Sequence, residues 1–173
     1  MTDLARRLAR GERTAFAELY DRLHARLFRY LATRLESRES AADVLQEVFM
    51  RLARSSSRLG AAIDLDAYVF GVARNEAARH MSRHAGRSRL VVSTDAVAAL
   101  STGPETRSDD ADFAREALRS LSAERREVVE LRIYGELTFR EIAETLRLPQ
   151  GTIATRYRDA ITQLRARFAE EPR

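Results

Sequence analysis

Cysteine, tryptophan and lysine are all absent from the 173 residues. The lack of cysteine excludes disulfides, thiolate metal sites and cysteine nucleophiles. The lack of lysine makes every one of the 30 basic residues an arginine. Arginine stays charged at any relevant pH and forks onto phosphate oxygens, but biased codon usage produces the same excess, so the count alone does not point to nucleic acid. Proline (3) and glycine (7) are sparse and fall mostly between apolar-periodic segments. No run approaches the roughly 20 apolar residues that cross a bilayer. The opening Met1-Thr2-Asp3-Leu4-Ala5-Arg6-Arg7 leads into no apolar stretch of the kind that marks a secretory leader. A cytoplasmic chain without membrane insertion is expected.

What is present favours helices. Hydrophobic residues make up 45% and charged residues 32%, and Ala, Leu, Arg and Glu, which have high helix propensity, dominate. The net charge is only +4. Three helical patterns fill the first half. Between Thr14 and Leu35, Phe16, Leu19, Tyr20, Leu23, Leu27, Tyr30 and Leu31 share a face. A second helix runs from about Ser40 to Arg54, with Ala41, Val44, Leu45, Val48, Phe49 and Leu52 inward. Ser55 to Gly60 reads as a polar loop. Asp64 is an N-cap candidate for a third helix carrying Leu65, Tyr68, Val69, Val72, Ala73, Ala77 and Met81. From about Arg87 to Asp112 the composition turns to Ser, Thr, Gly103-Pro104 and the acidic Asp109, Asp110 and Asp112, which reads as a flexible linker. Helical signals resume with Phe113, Ala117, Leu118 and Leu121; Ser122 caps the next helix, and Gly135 suits a left-handed C-terminal cap.

The clearest local signal lies near the C-terminus. Thr138-Phe139-Arg140-Glu141 is a capping box, and the helix it opens buries Ile142, Ala143 and Leu146. Pro149 prevents that helix from continuing. A further helix begins near Thr152, with Ile153, Tyr157, Ala160, Ile161, Leu164 and Phe168 as its stripe. Two short helices joined by a tight turn, the second polar on its early outer face, form a helix-turn-helix pattern. The early residues of the second helix then meet base edges. Thr152, Thr155 and Arg156 are the candidates there, Arg156 being able to donate two bonds to guanine, while Arg140 and Arg158 are placed for phosphate.

Two other constellations need weighing. Asp43, Gln46, Glu47, Met50 and Arg54 lie off the buried stripe of the second helix, where an adaptable methionine beside polar groups suits a partner surface, although an ordinary solvated face gives the same spacing. Glu76, His80 and His84 share a face of the third helix, but three ligands along a straight helix span about 12 Å, too far for one ion. No metal, cofactor or catalytic residue is expected; glycine-rich phosphate loops and nucleophile elbows are also absent.

Asp43-Val44-Leu45-Gln46-Glu47-Val48-Phe49 resembles the polymerase-binding signature of the extracytoplasmic-function sigma factors of the sigma-70 family. Phe16-Ala17-Glu18-Leu19-Tyr20 resembles the family's opening helix, and Ala73-Arg74-Asn75-Glu76-Ala77 its −10-reading helix. Leu121 to Val128, Ile142-Ala143-Glu144 and Gly151-Thr152-Ile153 resemble the −35-reading domain. The resemblance implies an all-α protein of two small helical domains joined by a linker: residues 1–86 for core binding and the −10 element, 87–112 as linker, and 113–173 with the helix-turn-helix for the −35 element. It implies that Asp43, Gln46, Glu47, Met50 and Arg54 meet RNA polymerase core. It also implies that Tyr68, Arg74, Asn75 and Arg79 meet −10 DNA beside a base-capturing loop at Ser55 to Ile63. Aromatic stacking and arginine contacts suit a single strand. Partners implied are core polymerase and promoter DNA, with an anti-sigma factor common in the family. Two departures stand out. The family usually has tryptophan where Tyr68 stands, and often a basic residue at the position of Ala154. An acidic linker would also repel phosphate and so hinder DNA access. The competing reading is a stand-alone helix-turn-helix regulator that binds palindromic operators as a dimer.

Overall fold

The computed structural model describes residues 3–88 and 116–170, and among them every regular element is helical. The elements are α1 (Asp3–Ala9), α2 (Arg13–Arg34), α3 (Arg38–Arg54), α4 (Ser56–Gly60), α5 (Leu65–Ser88), α6 (Ala123–Ile133), α7 (Phe139–Leu146) and α8 (Gln150–Glu170). Helical residues also occur at 116–119, ahead of α6. This is the expected all-α arrangement of two small domains. The expected linker falls almost wholly outside the described residues, as do Phe113 and the acidic cluster.

In the first domain α2 is the central pillar. Leu19, Leu23, Leu27 and Leu31 recur every four residues and are fully buried, as is Tyr30. Each such leucine contributes roughly 1.5–3 kcal/mol on removal from water. α3 packs on α2 through Val44, Val48 and Leu52, and α5 closes the bundle with Val69, Phe70, Ala73 and Ala77. The Ser37 hydroxyl accepts the Ser40 amide at 3.1 Å and caps α3, which begins at Arg38, two residues before the expected start. The Asp64 carboxylate accepts the amides of Asp66 and Ala67 at 3.0 and 3.1 Å, as an N-cap does. Two residues read as core are half out: Tyr20 is 45% and Met81 38% exposed.

Two elements differ from the reading of the sequence. Residues 55–60 are not a polar loop but contain the helical turn α4, whose Leu59 is fully buried. α1, which the sequence did not announce, packs against α4 with Leu4, Ala5 and Leu8. The crossing is close: a Cβ on Gly60 would lie 2.6 Å from the Ala9 Cβ. Short, polar segments of this kind gain their structure from tertiary packing rather than from propensity.

In the second domain Ser122 caps α6 by accepting the Arg125 amide. Leu121, Val129 and Ala160 form a small core against Leu118, Tyr157 and Leu164. Phe139 meets Tyr157 with ring centroids 5.3 Å apart, joining α7 to α8. The left-handed residue after α6 is Glu136 (φ 55°) and not the expected Gly135. Gly135 serves a different need: a Cβ there would lie 2.6 Å from the Leu131 carbonyl oxygen and 2.9 Å from the Phe70 ring.

That approach of Phe70 to Gly135 is part of an extended contact between the domains. Val128, Leu131, Leu137 and Ile142 share one apolar core with Tyr30 and Phe70. Around it, Arg26 donates twice to the Gly135 carbonyl, at 2.9 and 2.7 Å. Arg34 pairs with Glu130 at 2.9 Å and with Glu127 at 3.2 Å, and Arg29 pairs with Glu136.

Replacing Gly60 by valine forces α1 off α4. The expected cost is about 1–3 kcal/mol, read as a lower urea midpoint, with hydrogen-exchange protection lost in residues 3–9 and retained in α2.

Candidate nucleic-acid interface

Helices α3 and α5, the loop between α4 and α5, and the end of α7 enclose an open groove of about 1810 Å³. The −10 candidates Tyr68, Arg74, Asn75 and Arg79 all line it. Their placement follows from α5 being amphipathic: Val69, Ala73 and Ala77 turn inward, which leaves these four on the groove side. The opposite wall carries Met50, Arg54 and Glu47 from α3. The core-binding candidates therefore separate. Glu47, Met50 and Arg54 face the groove, Asp43 lies with Glu47 in a smaller depression beside His80, Arg83 and His84, and Gln46 is exposed on α3 outside both.

The groove's charges are held in place. Glu76, only 5% exposed, accepts Arg51 and Arg79, each at 2.7 Å, from two helices. A buried carboxylate needs such partners, and here it fixes two arginines along the wall. Glu76 is thereby committed to arginines, whatever the neighbouring His80–His84 pair does; those rings stack at 4.3 Å. Burial, followed by His84 and Arg83, holds His80 below its ordinary pKa. Arg83 pairs with Glu47 at 3.2 Å. Arg74 makes a two-pronged pair with Glu127 of α6, at 2.8 and 3.3 Å. Arg51, Arg58, Arg83 and Arg147 also line the groove; Arg51 was legible as the residue one turn ahead of Arg54, whereas Arg147 comes from the other domain and had no local signal.

The helix-turn-helix is built as its residues require. The Thr138 hydroxyl accepts the Glu141 amide while the Glu141 carboxylate accepts the Thr138 amide at 2.6 Å. Arg147 ends α7 in the left-handed conformation (φ 55°). The Pro149 carbonyl accepts the Thr152 amide at 3.0 Å, so α8 starts at Gln150, two residues before the expected start. Ile153 and Ala160 are buried. Thr155 and Arg158 are exposed, and Thr152 and Arg156 are half-buried. Asp159 is drawn inward by Arg125 at 3.4 Å. Phe168, read as part of the buried stripe, is 50% exposed. Arg140 reaches Asp64 of the first domain at 3.4 Å while remaining 74% exposed.

The family model for sigma-70 region 2 matches residues 19–87, and that for sigma-70 region 4 matches residues 117–166. The ECF RNA polymerase sigma factor SigK of Mycobacterium ulcerans is 29% identical over 168 residues, spanning 94% of this chain and 90% of that one. The ECF RNA polymerase sigma factor BldN of Streptomyces coelicolor is 28% identical over 185 residues, spanning all of this chain and 67% of that one. CnrH, solved in complex with the cytosolic domain of CnrY, shares the fold at TM-score 0.69 and 21% identity, over 98% of this chain and 97% of that one. RpoE of Bartonella quintana, solved with the anti-sigma factor NepR, shares it at TM-score 0.67 and 23% identity, over 91% and 98%.

Tyr68 is the aromatic side chain among the groove's lining residues. Tyr68→Ala is expected to weaken binding of a fluorescent single-stranded oligonucleotide by about 1–3 kcal/mol, and Tyr68→Trp to retain it, as read by anisotropy.

Proposed function

The chain belongs to the sigma-70 family of RNA polymerase sigma factors, and from that premise we propose how its residues divide the work. Residues 1–86 bind polymerase core and the −10 element, 87–112 link, and 113–173 bind the −35 element. The observation that carries this reading is the groove in which Tyr68, Arg74, Asn75 and Arg79 face Met50 and Arg54. An aromatic platform flanked by arginines suits a single strand, because stacking is tolerant of sequence and arginine follows phosphates. Asp43, Gln46, Glu47, Met50 and Arg54 are assigned to core polymerase; Glu47, Met50 and Arg54 also line the groove, which supports a role beside the DNA. Arg156, Thr152 and Thr155 are assigned to −35 bases, and Arg140 and Arg158 to phosphate.

The chain supplies promoter choice and strand opening, and polymerase performs the chemistry. It therefore works beside polymerase in the cytoplasm; among the described residues no helix is long and apolar enough to cross a membrane. A partner of anti-sigma type is assigned by analogy with RpoE, whose structure was solved with one. A stand-alone regulator is not favoured, because the region 2 match spans the whole of a domain that such a regulator would not need.

The test is transcription by bacterial core polymerase from a pooled promoter library. Core-dependent, specifically initiated transcripts sharing two upstream elements are expected; absence of both transcripts and a core complex would overturn the reading. Within that assay Arg156→Ala is expected to cost about 1–3 kcal/mol and relax preference at one −35 position. Arg158→Ala is expected to weaken all promoters alike and reduce the salt slope by about 1.

A further inference from the structure

Thr152, Thr155 and Arg156, the residues assigned to −35 bases, stand at i, i+3 and i+4 of α8. A recognition helix lying in a major groove presents a fourth position on that face, i+7. In this chain it is Asp159, about 4.5 Å along the helix axis from Arg156. A carboxylate on a DNA-facing surface is repelled by phosphate unless its charge is offset, and it gains from DNA only if it meets a donor on a base.

Both conditions have a counterpart in the structure. Arg125 of α6 donates through Nη2 to Asp159 Oδ2 at 3.4 Å and through Nη1 to Gln163 Oε1 at 3.3 Å. Gln163, one turn beyond Asp159, donates in turn to the Ser120 carbonyl at 3.2 Å. Two side chains thus tie Asp159 to the backbone ahead of α6. Its other oxygen, Oδ1, turns toward the exposed Arg158, whose Nε is 3.8 Å away. That distance is too long for a hydrogen bond, so Oδ1 keeps its capacity to accept. The side chain is 39% exposed.

We propose that Asp159 is a specificity-determining residue of −35 reading, with Arg125 as its positioning residue, an inference that rests on the assignment of Arg156 to −35 bases. Asp159 Oδ1 accepts from the exocyclic amine of a cytosine next to the base that Arg156 reads. Cytosine is singled out because it offers only its N4 donor in the major groove, and an ionised carboxylate only accepts. Guanine presents N7 and O6, and thymine O4, all acceptors that oppose the carboxylate; adenine sets the acceptor N7 beside its N6 amine. Selection therefore comes from rejection as well as attraction. Arg125 offsets the charge of Asp159 and, through Gln163 and Ser120, holds the carboxylate in place before DNA binds, which lowers the ordering cost. Arg125 and Asp159 are each 39% exposed, and pairs of that kind add little to stability, so variants of either residue are expected to fold.

The test runs core polymerase carrying the full chain on a duplex promoter library randomised upstream, and counts the transcribed sequences. The unaltered chain is expected to prefer cytosine, on one strand, next to the position that Arg156→Ala relaxes. Asp159→Ala should reduce that preference roughly tenfold and leave the other positions unchanged. A uniform rise on all sequences, with every base preference retained, would overturn the proposal, because Asp159 would then act only as a charge that repels DNA. Arg125→Met should weaken the same preference, Arg125→Lys should restore part of it, and in the Asp159→Ala background Arg125→Met should change it no further. An equal effect of Arg125→Met in both backgrounds would show a structural role alone and remove Arg125 from the assignment. Arg156→Ala separates the remaining cases. If it relaxes its own position while Asp159→Ala relaxes none, the role of Asp159 falls and the −35 assignment stands. If neither variant changes any preference, the −35 assignment falls and the role of Asp159 with it.

Discussion

A buried carboxylate must be paired or neutral, because an isolated charge removed from water costs more than folding can supply. Glu130 and Glu127 face this constraint at the boundary between the two domains, and Arg34 and Arg74 meet it. Beside that match, Phe70 reaches Gly135, Leu137 and Ile142 join the first domain's core, and Arg26 caps the Gly135 carbonyl. The apolar part gives adhesion without direction, and the arginines fix the register.

The same use of arginine recurs in the groove. Glu76 gathers Arg51 and Arg79 from two helices, so the wall is charged in a fixed pattern. Such pre-positioning lowers the ordering cost of binding. With lysine absent, every cation in the chain carries a planar fork suited equally to carboxylate and phosphate. That equivalence joins the two halves of the account: a side chain that holds the domains together is of the type that binds DNA.

Much of this was legible in the sequence where structure is set locally. The leucine stripe of α2, the Ser122 cap and the Thr138 capping box depend on residues within one or two turns, and all are found as read. The four −10 candidates share a groove because helical period alone places them on one side of α5. What was not legible depends on distant partners. α1 and α4 are short and polar and stand by packing on each other. Gly135 resembles a helix terminator, yet its lack of a side chain answers to Phe70, 65 positions earlier in the chain. Tyr20 and Phe168 fit the apolar period but lie at the edges of their stripes, where period cannot tell core from rim.

The most direct test of the account follows the Arg74 Nε–H resonance and the Gly135 amide together as a −10 single strand is titrated into the free chain. The account predicts that both move with one midpoint, since the Arg74–Glu127 pair and the Phe70–Gly135 approach belong to the same domain boundary. Movement of Arg74 with Gly135 unchanged would contradict it, because the domain boundary would then stay closed while DNA is bound.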